Sequence, residues 1–230
     1  MTGTRTLNQH PLRVAIVTTF YPPCNFGGDG RYVQSFVHSL ARRGCEVEVI
    51  YDADAWKVGK GLTSNAVLPP PEPEPAGVTV HRLQSRWPLG STLLTQQTGR
   101  PIIQRQAIEA ILGKGFDVIH YHNISLVGGP GVLSLGSAVK LYTAHEHWLV
   151  CPNHILWRHN RELCDRRECF RCSLAFKRPP QIWRKSSLLD DNLAQVDALI
   201  GLSQSVADNH RAFGLKRDMV PMASFMPDTV

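Results

Sequence analysis

Polar residues that could bind a ligand or hold a proton recur directly after apolar runs of the sequence. They are Gly27, Gly28 and Gly30 after residues 13–20, His120, His122 and Asn123 around the end of 117–122, His145 and Glu146 after 139–144, and Ser203 at the end of 197–203. Imidazoles and carboxylates hold or transfer protons near neutral pH, and a glycine loop offers backbone N–H groups to anions. One histidine alone is as well explained by a hydrogen bond in the core, but the recurrence favours a functional site.

The glycine loop reads "FYPPCNFGGDGR" over residues 20–31. Three glycines in four residues exceed what a single turn needs, which indicates that something approaches the backbone closely. The loop lacks the G-x-G-x-x-G pattern, because Val33 stands where the third glycine would be, and the chain has no G-x-x-x-x-G-K-[ST]. We therefore expect no NAD and no P-loop chemistry, but a phosphate group near Gly27 and Gly28.

Four cysteines form a second cluster of candidate ligands. They are Cys151, Cys164, Cys169 and Cys172, with two residues between the last pair. This spacing predicts a structural zinc site that pins a long loop, with His154 and His159 as substitute ligands. Reduced or redox-active thiols and disulfides remain alternatives. Cys24 and Cys45 stand apart and should pack as small hydrophobic side chains.

Alternating strands and helices must position these residues. We predict strands over 13–20, 46–51, 78–83, 117–122, 139–145 and 197–203, and helices over about 32–43, 101–113, 181–195 and 204–213. This order indicates an α/β fold with a Rossmann-like, doubly wound parallel sheet, in which the carboxyl ends of the strands meet at one edge. The proline-rich stretch 67–77 should form an extended loop.

The length of 230 residues and the 43% hydrophobic content fit one domain. We assign residues 1–12 to an N-terminal tail, 13–220 to the domain and 151–178 to a Cys-rich basic insertion. Residues 221–230 have the composition of an interdomain linker, so we expect a truncated chain.

The charge is concentrated in one segment. Residues 157–185 contain nine Arg or Lys against three acids, which equals the net charge of +6 of the whole chain. This favours an anionic partner, although a solvated surface loop would have the same composition. With no apolar run of about 18 residues and no secretory signal, we expect a cytoplasmic protein with peripheral contact at the inner face of an anionic membrane.

Several stretches together resemble a known family. "FYPPCNFGGDGRYVQSFVHSLARRGCEVEVI", "FDVIHYHN", "LYTAHEHWLVCP" and "VDALIGLSQSVADNHRAFGL" resemble the N-terminal, acceptor-side domain of a retaining glycosyltransferase of family four with the GT-B fold. The resemblance covers residues 13–225. It implies a nucleoside-diphosphate sugar as substrate, with its diphosphate against Gly27 and Gly28. It also implies that His145 lies near the reacting groups and that Glu146 stands where the family usually has Asp.

The expected function follows from that resemblance. We expect transfer of a hexose, with retention, to a hydroxyl of a sugar or lipid-linked acceptor in polysaccharide or glycolipid synthesis, with His145 and Glu146 as catalytic residues. His120, His122, Asn123 and Ser203 are expected to line the acceptor cleft. Such enzymes bind the donor chiefly in a second domain, which must be supplied in cis or in trans, so the isolated chain should be inactive.

Two alternatives remain from the sequence. One is the acceptor subunit of a two-chain glycosyltransferase. The other is a metal-containing, non-enzymatic module that binds nucleic acid. We do not expect nucleic acid, because few aromatic residues are interleaved with the basic ones as stacking platforms.

Overall fold

A computed structural model describes residues 10–223. Most of the predicted tail and most of the predicted linker lie outside these residues. The strands are β1 (Arg13–Thr18), β2 (Glu46–Asp52), β3 (Val78–Leu83), β4 (Val118–Tyr121), β5 (Val139–Ala144), β6 (Trp157–Arg158), β7 (Glu162–Leu163), β8 (Ala198–Gly201) and β9 (Met219–Pro221). The α-helices are α1 (Gly28–Arg42), α2 (Ala53–Gly59), α3 (Pro88–Thr98), α4 (Arg105–Leu112), α5 (Cys169–Ala175), α6 (Leu188–Leu193) and α7 (Gln204–Ala212). Two 3₁₀ helices cover Pro130–Ser134 and Ile182–Lys185.

Seven strands form one parallel sheet in the order β3-β2-β1-β4-β5-β8-β9. Helices cover both faces, as β1 illustrates. Val14 and Ile16 belong to one buried cluster and Ala15 and Val17 to the other. A strand whose alternate side chains enter two different cores must be apolar throughout, which is why "RVAIVT" shows no polar face. The predicted Rossmann-like, doubly wound fold is confirmed.

The strand order reverses between β1 and β4. From β1 the chain builds outward to β2 and β3, and then returns to place β4 on the other side of β1. In doubly wound sheets a crevice opens at such a switch point, beyond the carboxyl ends of the two strands. The glycine loop follows β1 and the histidine pair closes β4, so both stand at this crevice.

Some predicted helices differ in extent. The stretch predicted as one helix over 181–195 is a 3₁₀ helix followed by α6. The two are separated at Ser186, whose backbone is extended and whose hydroxyl oxygen accepts the backbone N–H of Leu188 at 3.3 Å. Helices α2 and α3 were not predicted. The Asp52 carboxylate caps α2 by accepting the N–H groups of Asp54 and Ala55.

The two irregular regions follow the predictions in outline. The proline-rich stretch has no regular structure before residue 78, and its Glu72 and Glu74 pair with Arg31 and His38 of α1. The Cys-rich insertion contains the antiparallel pair β6 and β7 and the helix α5. Across residues 10–223, no helix is both long and apolar enough to cross a bilayer.

Candidate functional site

The glycine loop leads directly into helix α1. Gly27 precedes the helix as its N-cap with φ of 67°, and no side chain caps the helix start. Gly28 is the first helical residue, and both glycines are exposed. The loop is braced from within, because the Asn25 side-chain amide donates to the Gly27 carbonyl at 3.1 Å. The N-terminus of a 15-residue helix is therefore open to solvent on a fixed loop.

The three glycines of the loop are needed for different reasons. Gly27 has a positive φ, which L side chains rarely adopt. A Cβ on Gly30 would lie 2.7 Å from the Asn25 Cβ, so Gly30 allows close packing. A Cβ on Gly28 would meet no described atom within 4 Å beyond its chain neighbours, and its φ lies outside the positive region. Neither packing nor backbone conformation within the described chain requires glycine at position 28.

Three histidines stack at the ends of β4 and β5. His120 and His122 have ring centroids 4.3 Å apart, and His122 and His145 have centroids 5.1 Å apart. The Nδ1 of His122 and the Nε2 of His145 are joined by a hydrogen bond of 2.9 Å. His120 is held from behind, since its Nε2 bonds the Thr143 hydroxyl at 2.8 Å. The period of two in β4 places both of its histidines on one face of the sheet.

Helix α1 supplies an aromatic wall for this cluster. Tyr32 packs edge-on against His145 at 5.0 Å between centroids, and Phe36 packs edge-on against His120 at 5.3 Å. The two aromatic residues are four positions apart, so they share one face of the helix. The same helix that begins at the glycine loop therefore encloses the histidines.

Asp29 and Asn123 connect the loop to the histidines. The Asn123 side-chain Nδ2 donates to the Asp29 carboxylate at 3.3 Å, and the Asn123 side-chain Oδ1 accepts from the Ser125 hydroxyl at 2.7 Å. The Asp29 charge acts on His145 and raises its pKa against the effect of burial. Glycine loop, carboxylate and imidazole thus form one continuous site.

Burial makes the imidazoles neutral. It lowers the pKa of His120 to about 4, with a smaller contribution from His145. Burial likewise lowers the pKa of His145 to about 4, opposed by Asp29. The pKa of His122 is held well below its usual range by burial, and secondarily by His120 and His145. At pH 7 the cluster can exchange hydrogen bonds but carries no positive charge.

One fully buried ring nitrogen of the cluster has no hydrogen-bond partner in the described chain. His122 is 1% exposed, and its Nε2 makes no hydrogen bond in the described chain. A buried N–H without a partner is rarer than a buried lone pair without one. We infer that Nε2 is unprotonated, so Nδ1–H of His122 donates to Nε2 of His145. His145 then carries its own proton on Nδ1, as a hydrogen-bond donor.

Two predicted site residues lie elsewhere. The Glu146 carboxylate bonds His154 of the insertion. Ser203 is exposed and caps α7, where its hydroxyl oxygen accepts the N–H of Val206 at 3.2 Å. We therefore build the site on His145, His122 and Asn123, and take Glu146 and Ser203 as connections to neighbouring elements.

The structure does not support the predicted zinc site. In residues 10–223, no three His, Cys, Asp or Glu side chains form a group that could hold a metal ion. All four cysteines of the insertion, Cys151, Cys164, Cys169 and Cys172, are free thiols that line a common cavity. Two of them have separate hydrogen bonds: the Cys164 thiol donates to the Arg166 carbonyl at 3.4 Å, and the Cys172 sulfur accepts the His159 N–H at 3.2 Å. The disulfides that the sequence left as an alternative are not formed among these four cysteines.

Sequence reasoning missed three residues of the site: Asp29, Tyr32 and Thr143. Asp29 stands inside the glycine stretch, where the glycines alone indicated a binding loop. Tyr32 is four residues before Phe36, a spacing that indicates a common helix face. Thr143 precedes His145 by two residues, and so shares its side of the sheet.

Comparisons with known proteins identify the family of this chain. A family model described as "Glycosyl transferase 4-like domain" matches residues 27–223. Among solved structures, "Structure of Candida albicans trehalose-6-phosphate phosphatase N-terminal domain" is similar at 16% identity with a TM-score of 0.44, over 93% of this chain. This chain spans 44% of that one. A comparison with curated proteins gave no match.

Proposed function

Because this chain belongs to the glycosyl transferase 4-like domain family, we propose that it is the acceptor-side domain of a retaining glycosyltransferase. The enzyme would move a hexose from a nucleoside-diphosphate sugar to a hydroxyl of a polysaccharide or glycolipid acceptor. One observation carries the proposal: the bonded pair of His122 and His145 lies at the switch point of the sheet, connected to the open glycine loop.

We assign the diphosphate of the donor to Gly27 and Gly28. Backbone N–H groups at a helix start attract phosphate oxygens, and the helix dipole adds to that attraction. No side chain caps the start of α1, although the Asp29 carboxylate accepts the N–H of Gly30 at 2.8 Å. A phosphate oxygen needs the space that a side chain at position 28 would occupy, which accounts for a glycine that packing does not require.

His145 is proposed to donate a hydrogen bond to a reacting sugar hydroxyl. Its Nε2 is occupied by His122, so Nδ1–H is the group it can offer. A neutral imidazole that donates from a fixed position stabilises charge that develops on oxygen without first releasing a proton. His122 acts through His145 and is a positioning residue, and His120 supports His122 by stacking.

Asp29 and Asn123 are proposed to hold the acceptor. A carboxylate accepts hydrogen bonds from hydroxyl groups, and the Asn123 amide fixes the direction of the Asp29 carboxylate at 3.3 Å. Asp29 lies in the first turn of α1, and Asn123 lies in the loop that follows β4. An acceptor hydroxyl bound there would lie between the diphosphate and His145.

The experiment is a transfer assay with the 230-residue chain, alone and together with a donor-binding domain in cis or in trans. We expect transfer from one member of a panel of nucleoside-diphosphate sugars only when the donor-binding domain is supplied. Turnover by the purified chain alone would contradict the half-enzyme proposal. Absence of transfer from every donor in the presence of both domains would contradict glycosyl transfer itself.

The same assay distinguishes the two arrangements that the sequence left open. Activity restored by mixing separate chains supports the two-chain arrangement, whereas activity only in a covalently continuous chain supports the one-chain arrangement. The nucleic-acid module loses support, since the family match indicates a glycosyltransferase.

A further inference from the structure

The basic insertion keeps most of its cations free of carboxylates. The three acids of the segment, Glu162, Asp165 and Glu168, all lie within 4.0 Å of the Arg158 guanidinium. Glu168 also pairs with Arg166 and His159. The segment's acids are thus concentrated on a few partners and leave its other cations unneutralised.

Six cations of the segment remain exposed and form no ion pair with any residue of the described range 10–223. They are Arg161, Arg167, Arg171, Lys177, Arg178 and Lys185. Unpaired cations on one segment create a positive field that is directed at solvent. Because these exposed cations form no ion pairs that would stabilise the fold, they are available to bind an external anion.

Apolar side chains are exposed among these cations. Phe170 is 53% exposed, Leu174 is 54% exposed and Ile182 is 65% exposed. Phe170 and Leu174 are four residues apart in α5, which places them on one side of the helix. The Lys185 ammonium lies 5.6 Å from the centre of the Phe170 ring. Apolar and cationic groups therefore share one surface.

This surface borders a cavity of about 360 Å³, lined by Phe170, Ile182, Lys185 and Arg167 among others. It is firmly held. The Arg184 guanidinium donates to the carbonyls of Trp148 and Leu149 at 2.6 and 3.1 Å. The Gln96 side chain donates to the Pro179 carbonyl at 2.7 Å. The surface is thus presented by a fixed scaffold.

We propose that this face binds the surface of an anionic lipid bilayer. We define the insertion face as Arg167, Phe170, Arg171, Leu174, Lys177, Arg178, Ile182 and Lys185. Its cations match the charge of anionic headgroups, and its exposed apolar side chains can enter the boundary between headgroups and acyl chains. The inference deepens the proposed function, because a membrane-bound enzyme would meet lipid-linked acceptors there, but its test does not require activity.

Nucleic acid fits the insertion face less well. Binding of single strands needs exposed aromatic rings on which bases stack. Trp183 is buried and packs against the Arg184 guanidinium at 4.6 Å, and Trp157 is half-buried. Two of the three exposed apolar side chains, Leu174 and Ile182, are aliphatic, which suits lipid and not bases.

The experiment is sedimentation of the 230-residue chain with vesicles of phosphatidylcholine, with and without phosphatidylglycerol, at about 0.1 M salt. The charge variant combines Arg171→Gln, Arg178→Gln and Lys185→Gln. The matched control combines Arg42→Gln, Arg43→Gln and Arg105→Gln, three cations outside the insertion that are also exposed. A third variant, Phe170→Ser with Ile182→Ser, tests the apolar part. Equal melting temperatures show that each variant is folded.

We expect binding only to vesicles that contain phosphatidylglycerol. Each cation near an anionic surface adds about fivefold to partitioning, so the charge variant should bind about a hundredfold more weakly. The control should bind like the parent, and the apolar variant about tenfold more weakly. Any of three results would overturn the proposal: equal binding to neutral vesicles, equal loss in variant and control, or displacement from vesicles by a single-stranded oligonucleotide that binds more tightly.

Discussion

Both the candidate site at the switch point of the sheet and the insertion face contain side chains that can carry charge. Those of the site are buried, whereas those of the insertion face are exposed. At the site, His120, His122 and His145 are enclosed by strands and by helix α1, and burial keeps them neutral. On the insertion, exposed cations such as Arg171 and Lys185 lack carboxylate partners in the part of the chain that the structure describes. Enclosure converts titratable groups into directed hydrogen-bonding groups, whereas exposure leaves their charge to act at a distance.

The largest effect should come from removing His145. In the enzyme with its donor-binding domain, His145→Ala should lower kcat by about 10²- to 10³-fold, the cost of losing one directed donor to developing charge. Steady-state kinetics and thermal melting of one preparation measure this. The melting temperature should fall modestly, because the buried Nδ1–H of His122 loses its acceptor, so kcat is compared per folded molecule.

Glu146→Gln is the matched control for His145→Ala. Its carboxylate bonds His154 in the insertion, so it should cost less than about tenfold in kcat. A loss as large as that of His145→Ala would contradict the separation between site and insertion, and would restore Glu146 as a catalytic residue.

A second prediction uses the buried imidazole of His120. Its pKa is lowered to about 4, so on acidification the unfolded chain takes up a proton while the folded chain does not. The folded state should lose stability as the pH falls below about 6.5, by about 2 kcal/mol at pH 5. His120→Gln should remove this part of the pH dependence.

The pH dependence of stability must be compared between His120→Gln and the parent, because Asp52 also contributes to it. Burial, helped by Asp54, raises the pKa of Asp52 to about 7, so its contribution to stability increases on acidification. The contribution of Asp52 is the same in the parent and in His120→Gln, so it cancels when their pH dependences of stability are subtracted. Denaturant unfolding of the parent and of His120→Gln, each at pH 7.5 and pH 5, gives the four free energies of unfolding that are compared. Identical pH slopes in parent and variant would show that His120 is not buried as a neutral group.

A third prediction concerns packing beneath the glycine loop. Gly30→Ala would place a Cβ 2.7 Å from that of Asn25, so it should destabilise the fold by about 1 to 3 kcal/mol. Chemical denaturation measures this. An unchanged midpoint would indicate that the loop moves freely, contrary to a braced binding loop.

The smallest effect is expected at the insertion thiols. Burial raises the pKa of Cys164 and of Cys169, and neighbouring thiols add to it. At pH 7 both should be alkylated more slowly in the folded chain than in urea. Mass spectrometry of the alkylated peptides measures the rates. Acceleration of alkylation by a metal chelator would contradict free thiols.

Sequence patterns predicted the sheet well, for a physical reason. A strand covered on both faces is apolar throughout, so β1 and its neighbours stand out in the sequence. A short helix such as α2 depends on a single capping residue, here Asp52, and on tertiary contacts, which periodicity does not reveal. The stretch 181–195 is helical in two parts, but the predicted single helix is interrupted at Ser186, where the backbone is extended.

Sequence patterns predicted which positions of the chain lie near the candidate site, but not which side chains contact each other there. Strand ends pointed to His145 and Gly28, because parallel strands bring their carboxyl ends together. The bond between His122 and His145, and the aromatic wall of Tyr32, depend on side-chain directions from separate elements. The zinc prediction is not supported within residues 10–223, because spacing along the chain does not determine whether several sulfur atoms point at one centre.

The most direct test of the account is to measure stability and kcat/KM for Gly28→Ala in the enzyme with its donor-binding domain. The position is open and its φ suits alanine, so the melting temperature should stay near that of the parent. Obstruction of the diphosphate should lower kcat/KM by at least about tenfold. Unchanged kcat/KM, or a fall in stability that accounts for the whole loss of activity, would contradict a diphosphate site at Gly28.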